Sequence, residues 1–205
     1  MRTRFDEKNK QFTDDAHEAA KEQVYPHLFK NNGADIDVRS IAADADVEAK
    51  FLDLQYGIDV VVEIEVAELD ATVPVYIQER FRAPEYRHYQ DLTITKHNNA
   101  SGEPSELSKI AAQQFIYGYY QPVLDEIQEA VCVNVPALLR RIADGSLLCG
   151  EERNEKDQDF VTVPFELLRK KGVIAFHLDR TESKHRPVIL DRRENITAYS
   201  RGGGE

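Results

Sequence analysis

The chain has 205 residues, of which 41% are apolar and 31% charged, with a formal net charge of −11. That length buries roughly 70% of its unfolded surface and supports one core without disulfide or metal staples. The composition is that of a globular protein and excludes a disordered chain, while the net acidity excludes a protein that coats DNA by bulk charge and leaves room for a local basic site.

In chain order, residues 13–30 are expected to form a helix. Thr13 is a candidate N-cap, and Asp14 and Asp15 suit the positive end of the helix dipole. Ala16, Ala20, Val24 and Leu28 form an apolar stripe at helical spacing, and Asn31-Asn32-Gly33 stops it. Asp35 to Val38 alternates like a short strand. Residues 58–66 alternate strongly, with Val60, Val62, Ile64 and Val66 on one face and Asp59, Val61, Glu63 and Glu65 on the other. Residues 73–82 alternate again: Val73, Val75, Ile77 and Phe81 face one side, and Tyr76, Gln78, Arg80 and Arg82 the other. The link Ala67–Thr72 is short enough for an antiparallel hairpin. Residues 91–97 give a third strand. Ser101-Gly102-Glu103-Pro104 is a turn into a helix over 104–112, and the aromatic, alternating run 113–120 is read as a fourth strand, with a continuation of that helix as the rival reading. Residues 122–132 and 136–144 read as two short helices, and 150–158 as a charged loop. Phe160–Val163 is then a strand, Pro164–Lys171 a helix and Val173–His177 a strand. The expected architecture is α/β, an α-β-β-β-α-β core over 1–120 with a mixed central sheet. A C-terminal α/β extension over 121–205 packs on it, and its tail, 201–205, frays.

Cys132 and Cys149 stand in no CxxC frame, which argues against a zinc site and for reduced thiols in the cytoplasm. The start MRTRFDEKNKQF lacks an apolar run, so no signal peptide is expected, and no stretch approaches the roughly 20 apolar residues of a membrane span. No P-loop, dinucleotide or serine-hydrolase fingerprint occurs, and no HExxH.

The hairpin carries the chemistry. With its loop centred between residues 69 and 70, Asp59 faces Arg80, Val61 faces Gln78 and Glu63 faces Tyr76. Asp59, Gln78 and Arg80 then share one side of the sheet, within reach of one another. An aspartate offers hard oxygen to Mg²⁺, a bound metal activates water, and a fixed cation stabilises charge that develops on a phosphate.

Gly57-Ile58-Asp59, a hairpin and then Ile77-Gln78-Glu79-Arg80 resemble the PD-(D/E)XK nuclease superfamily, whose restriction-endonuclease-like core has this element order. The resemblance covers roughly residues 13–120. It implies a Mg²⁺- or Mn²⁺-dependent DNA nuclease that hydrolyses phosphodiester bonds. Asp59 and Gln78 would hold the metal, Arg80 would stand in the place of the catalytic lysine, and Glu18 (or Asp15) would add an acid from the first helix. Arg stays protonated, so Arg80 acts as a charge stabiliser and not as a base. Glu79 points to the apolar face by simple alternation, and a bulge turning it toward Asp59 would restore a two-carboxylate catalytic site. Arg82, Arg87, Lys96 and Lys109 are candidate nucleic-acid contacts, with Tyr86 and Tyr89 interleaved for base stacking. Gln113 and Tyr117 match a QxxxY pattern of one branch of these nucleases. The expected partner is DNA and not a membrane, and the resemblance admits a homodimer. The alternative is a catalytically inactive module of the same fold that binds nucleic acid or serves in a viral or plasmid assembly.

Overall fold

The computed structural model describes residues 7–29, 36–41, 52–53, 55–66, 70–99, 105–147, 149–153 and 158–180. The expected turn at 101–104, the tail 201–205 and part of the hairpin link lie outside the described residues. Helices α1 (Glu7–Gln23) and α2 (Tyr25–Phe29) come first, then strands β1 (Ile36–Ser40), β2 (Val60–Val66) and β3 (Ala71–Arg82). A 3-10 helix (Pro84–Tyr89) leads to β4 (Asp91–Asn98) and α3 (Glu106–Lys109). There follow β5 (Gln114–Gln121), β6 (Glu126–Asn134), α4 (Val135–Ala143), β7 (Gly150–Arg153), β8 (Gln158–Pro164), α5 (Phe165–Lys170) and β9 (Ile174–Asp179).

A six-stranded mixed sheet, ordered β1-β2-β3-β5-β6-β9, forms the centre, and a three-stranded sheet, β4-β8-β7, forms a second layer. The β3–β5 pair is parallel and the other pairs are antiparallel. One face of the central sheet is covered by α1 and α2. Ala16, Ala20, Val24 and Tyr25 pack there on Val60, Val62, Ile77 and Ile116. The alanines carry no bulk, so α1 lies close to the strands. Pro26 lacks the N–H that the α1 ladder would need, and the chain restarts as α2. On the other face Val61, Phe115, Tyr117 and Tyr119 meet Leu92, Ile94, Val161, Val163 and Phe165. Among the described residues, no helix is long and apolar enough to cross a membrane.

Three expectations are corrected by the strands. Residues 122–132 do not form a helix: Gln121 to Asp125 turns, and β6 runs antiparallel to β5. A strand buried on both faces carries apolar residues at consecutive positions, and Ala130 to Val133 do so, which erases the alternation that marks a half-exposed strand. Gly118 lets this pair close up, because a Cβ there would lie 2.5 Å from the Glu129 carbonyl oxygen. The hairpin register is also displaced by two residues. Val60 pairs with Ile77, Val61 with Tyr76 and Val66 with Ala71, so Asp59 does not oppose Arg80. Within the stretch 150–158, expected as a charged loop, Gly150–Arg153 form strand β7 against β8.

Candidate functional site

The displaced register leaves β3 overhanging β2. Residues 78–82 pair with β5 alone, so the backbone on the β2 side of this segment has no neighbouring strand among the described residues. Asp59 occupies the fork. Its N–H donates to the Ile77 carbonyl at 2.9 Å, and its own carbonyl accepts from the Ile41 N–H at 2.8 Å. With the backbone fixed from both sides, the carboxylate takes over where the ladder ends: Oδ2 accepts from the Glu79 N–H at 2.7 Å. Gly57, at φ +56°, makes the turn into this segment, and a Cβ there would stand 3.0 Å from Gln78 Oε1.

Asp59 is thereby joined to Glu79, and the bulge that sequence alternation required is not used. Glu79 does point to the helix-covered face. That face is polar at this point because two helical residues supply donors. His17 Nδ1 lies 2.6 Å from Glu79 Oε2, and the Tyr25 hydroxyl donates to Oε1 at 2.5 Å. His17 and Tyr25 were not anticipated from sequence. The signal was the stripe itself: His17 follows Ala16 and precedes Ala20 by three positions, so it shares the buried face, and Tyr25 adjoins Val24.

The electrostatics of this pocket are acidic. Burial pushes Asp59 up to about 7; the Glu79 amide pulls the other way, while the charges of Glu79, Asp53 and Glu106 add to the rise. Burial alone would lower His17, but the hydrogen bond and charge of Glu79 outweigh it and hold the imidazole above its usual pKa. Burial, reinforced by Glu79, keeps the Tyr25 phenol protonated well beyond the ordinary range. A cavity of about 500 Å³ opens on this group, lined by His17, Glu18, Ser40, Asp59, Glu79 and Arg80 among others. Two carboxyls that repel each other at the wall of a polar cavity form a hard anionic oxygen donor set, which suits Mg²⁺ or Mn²⁺.

Gln78 turns its amide away: Nε2 donates to Glu106 Oε1 at 2.8 Å, and Oε1 is buried without a hydrogen-bond partner. Arg80 lines the cavity, and its Nη1 is held by Glu106 Oε2 and the Thr93 carbonyl, each at 3.0 Å. Glu106 therefore fixes Gln78 and Arg80 together. Glu18 sits at the cavity wall, largely exposed, with Lys21 at 2.8 Å; Asp15 accepts from Gln11 at 2.6 Å. Lys96 pairs with Glu151, and Lys109 reaches the Asp53 carbonyl at 3.4 Å. Gln113 accepts from the Tyr76 N–H, and Tyr117 meets Arg82 at 3.2 Å, so both QxxxY residues are spent on internal contacts of the sheet.

Arg87 is drawn inward. Its Nε donates to fully buried Glu129 at 2.7 Å, and Nη2 bridges both oxygens of Asp179 at 3.1 Å. Glu129 also accepts from Gln90 at 2.7 Å and lies 2.9 Å from His177 Nε2. Glu129, His177 and Asp179 bring ligand atoms within 4.8 Å of one another, a second group that could hold a metal. Here, however, the guanidinium already supplies the positive charge.

No family model matches the chain, and no curated protein does. Among solved structures the chain is similar to a nuclease from a fusselovirus, at 12% identity over 82% of this chain and 87% of that one, with a TM-score of 0.34.

Proposed function

We propose that the chain is a divalent-metal-dependent nuclease of the PD-(D/E)XK kind that hydrolyses DNA phosphodiester bonds. The observation that carries this reading is the buried Asp59 carboxyl, hydrogen-bonded to the Glu79 main-chain amide at the end of a strand fork, on a cavity that the Glu79 and Arg80 side chains also line. In this reading Asp59 and Glu79 hold the metal, and Gln78 serves by fixing Glu106. Bound Mg²⁺ or Mn²⁺ supplies an activated water and neutralises charge on the phosphate. Tyr25 and His17 hold both Glu79 oxygens from the helix side and so keep the carboxylate oriented. Arg80, locked at Nη1 by Glu106 and Thr93, stabilises the negative charge that grows as water attacks phosphorus and the sugar oxygen leaves. A second reading is a non-cleaving module of the same fold. It is favoured by the commitment of Gln78 and Arg80 to Glu106, which leaves the expected amide ligand turned aside.

A cleavage assay separates the two readings. The protein is incubated with plasmid, linear duplex and single-stranded DNA, with Mg²⁺, Mn²⁺ or a chelator. The nuclease reading expects metal-stimulated cleavage of at least one substrate and a loss of about 100-fold or more in Asp59→Asn and Glu79→Gln. Absence of cleavage with either metal supports the binding module, and equal rates in the two variants remove both carboxylates from the chemistry.

A further inference from the structure

A second cavity, of about 600 Å³, lies beside the first, and Arg80 and Phe81 line both. Its character differs. Arg82 projects into it with its guanidinium carbon 4.3 Å from the Tyr86 ring centre and 5.9 Å from that of Tyr89. The guanidinium has partners in this position: Nη1 lies 3.2 Å from the Tyr117 hydroxyl and 3.8 Å from Asp91. The two tyrosines sit on the 3-10 helix that begins two residues after Arg82, and among the described residues they are two of the few large apolar side chains left exposed, at 42% and 57%. The Tyr89 ring also rests against His88 at 4.0 Å between centres. Phe160 of β8 lines the cavity as well.

Such a wall binds flat, electron-rich rings that carry a nearby anion. Exposed aromatic faces stack on nucleobases of any sequence, and an arginine among them attracts the phosphate. A base inside a duplex presents no free face to a side chain, because its neighbours cover both. We propose that this cavity takes one unpaired nucleotide of single-stranded DNA, stacked on the Tyr86–Tyr89 wall with a phosphate toward Arg82. Arg80 stands between this nucleotide and the Asp59–Glu79 carboxylates. The strand handled at that site is then single-stranded, or the frayed end of a duplex. The assignment to cleaved substrate rests on the nuclease reading above; the binding itself does not.

The test is fluorescence anisotropy with the full chain in chelator, using a labelled oligothymidylate and a labelled duplex of the same length. Single strand should bind more tightly than duplex. Tyr86→Ala and Tyr89→Ala should each weaken single-strand binding about tenfold, from the loss of one stacking contact. Tyr86→Phe and Tyr89→Phe should retain it, and duplex binding should change little. Because both tyrosines are exposed, the alanine variants are expected to melt with the parent. Equal affinity for the two DNAs, unchanged binding in the alanine variants, or equal losses on both DNAs would each overturn the proposal. Since no metal is present, a chain that never cleaves but keeps this tyrosine-dependent preference retains the pocket and loses the nuclease. A chain that cleaves with no tyrosine dependence keeps the nuclease and loses the pocket.

Discussion

Asp59→Asn is expected to stabilise the metal-free protein at pH 8 and to abolish its stabilisation by Mn²⁺. The folded chain holds the Asp59 proton up to about pH 7, whereas an unfolded aspartate releases it near pH 3.9. Below about pH 4 both states are protonated, and the group contributes nothing. Between about pH 4 and 7 the folded state binds the proton that the unfolded state has lost, so stability falls as pH rises. Above about pH 7 both states are ionised and the whole penalty is present, about 4 kcal/mol from a displacement of this size. Asparagine carries no such penalty, and its side-chain oxygen can still accept from the Glu79 N–H. The difference in melting temperature between variant and parent should therefore grow from pH 4 to pH 7 and then level off. A metal ion held by Asp59 replaces the proton, so Mn²⁺ should raise the parent's melting temperature most at high pH and leave the variant unmoved. A difference that stays constant with pH would mean that Asp59 is not the buried acid described here.

Arg87→Met should be the most damaging single change away from the cavity. Glu129 is fully buried, and Arg87 is its strong cationic partner at 2.7 Å. Removing the guanidinium leaves that buried carboxylate only Gln90 and His177 and costs about 3 kcal/mol, the lower end for breaking a buried pair because Arg87 is itself partly exposed, against roughly 5–15 kcal/mol of total stability for a domain. For a chain of this length that corresponds to a fall in melting temperature of about 10 °C. The double variant Arg87→Met, Glu129→Gln removes the stranded charge and should recover a large part of the loss. Denaturant unfolding of the three proteins measures this. If the single variant is as stable as the parent, the ion pair does not hold these strands together.

Arg87 also marks the limit of what sequence can disclose. Its place in a basic, tyrosine-bearing stretch is visible, and so is its attraction for an anion. That the anion is Glu129, 42 positions later on β6, follows only from sheet pairing. The β2–β3 hairpin was legible because each strand alternates in polarity. Its register is not legible, since alternation does not fix the centre of the connection, and a shift of two residues moves Asp59 from Arg80 to the end of the ladder. Strand β6 was hidden by its burial on both faces. Alternation gives the face of Glu79 and not its surroundings: a face that reads as apolar along β3 receives His17 from α1 and Tyr25 from α2. Arg82, Tyr86 and Tyr89 stayed together because their grouping is local in sequence, one strand end and one 3-10 turn.

The claim on which the catalytic reading depends is that Asp59 and Glu79 jointly hold a divalent cation. Crystals grown without metal and soaked in Mn²⁺ test it through anomalous scattering at the manganese edge. The expected result is a peak in the cavity beside α1, within about 2.0–2.6 Å of an oxygen from each of these two carboxylates. A map with no peak there, or with manganese bound only at Glu129, His177 and Asp179, would contradict it.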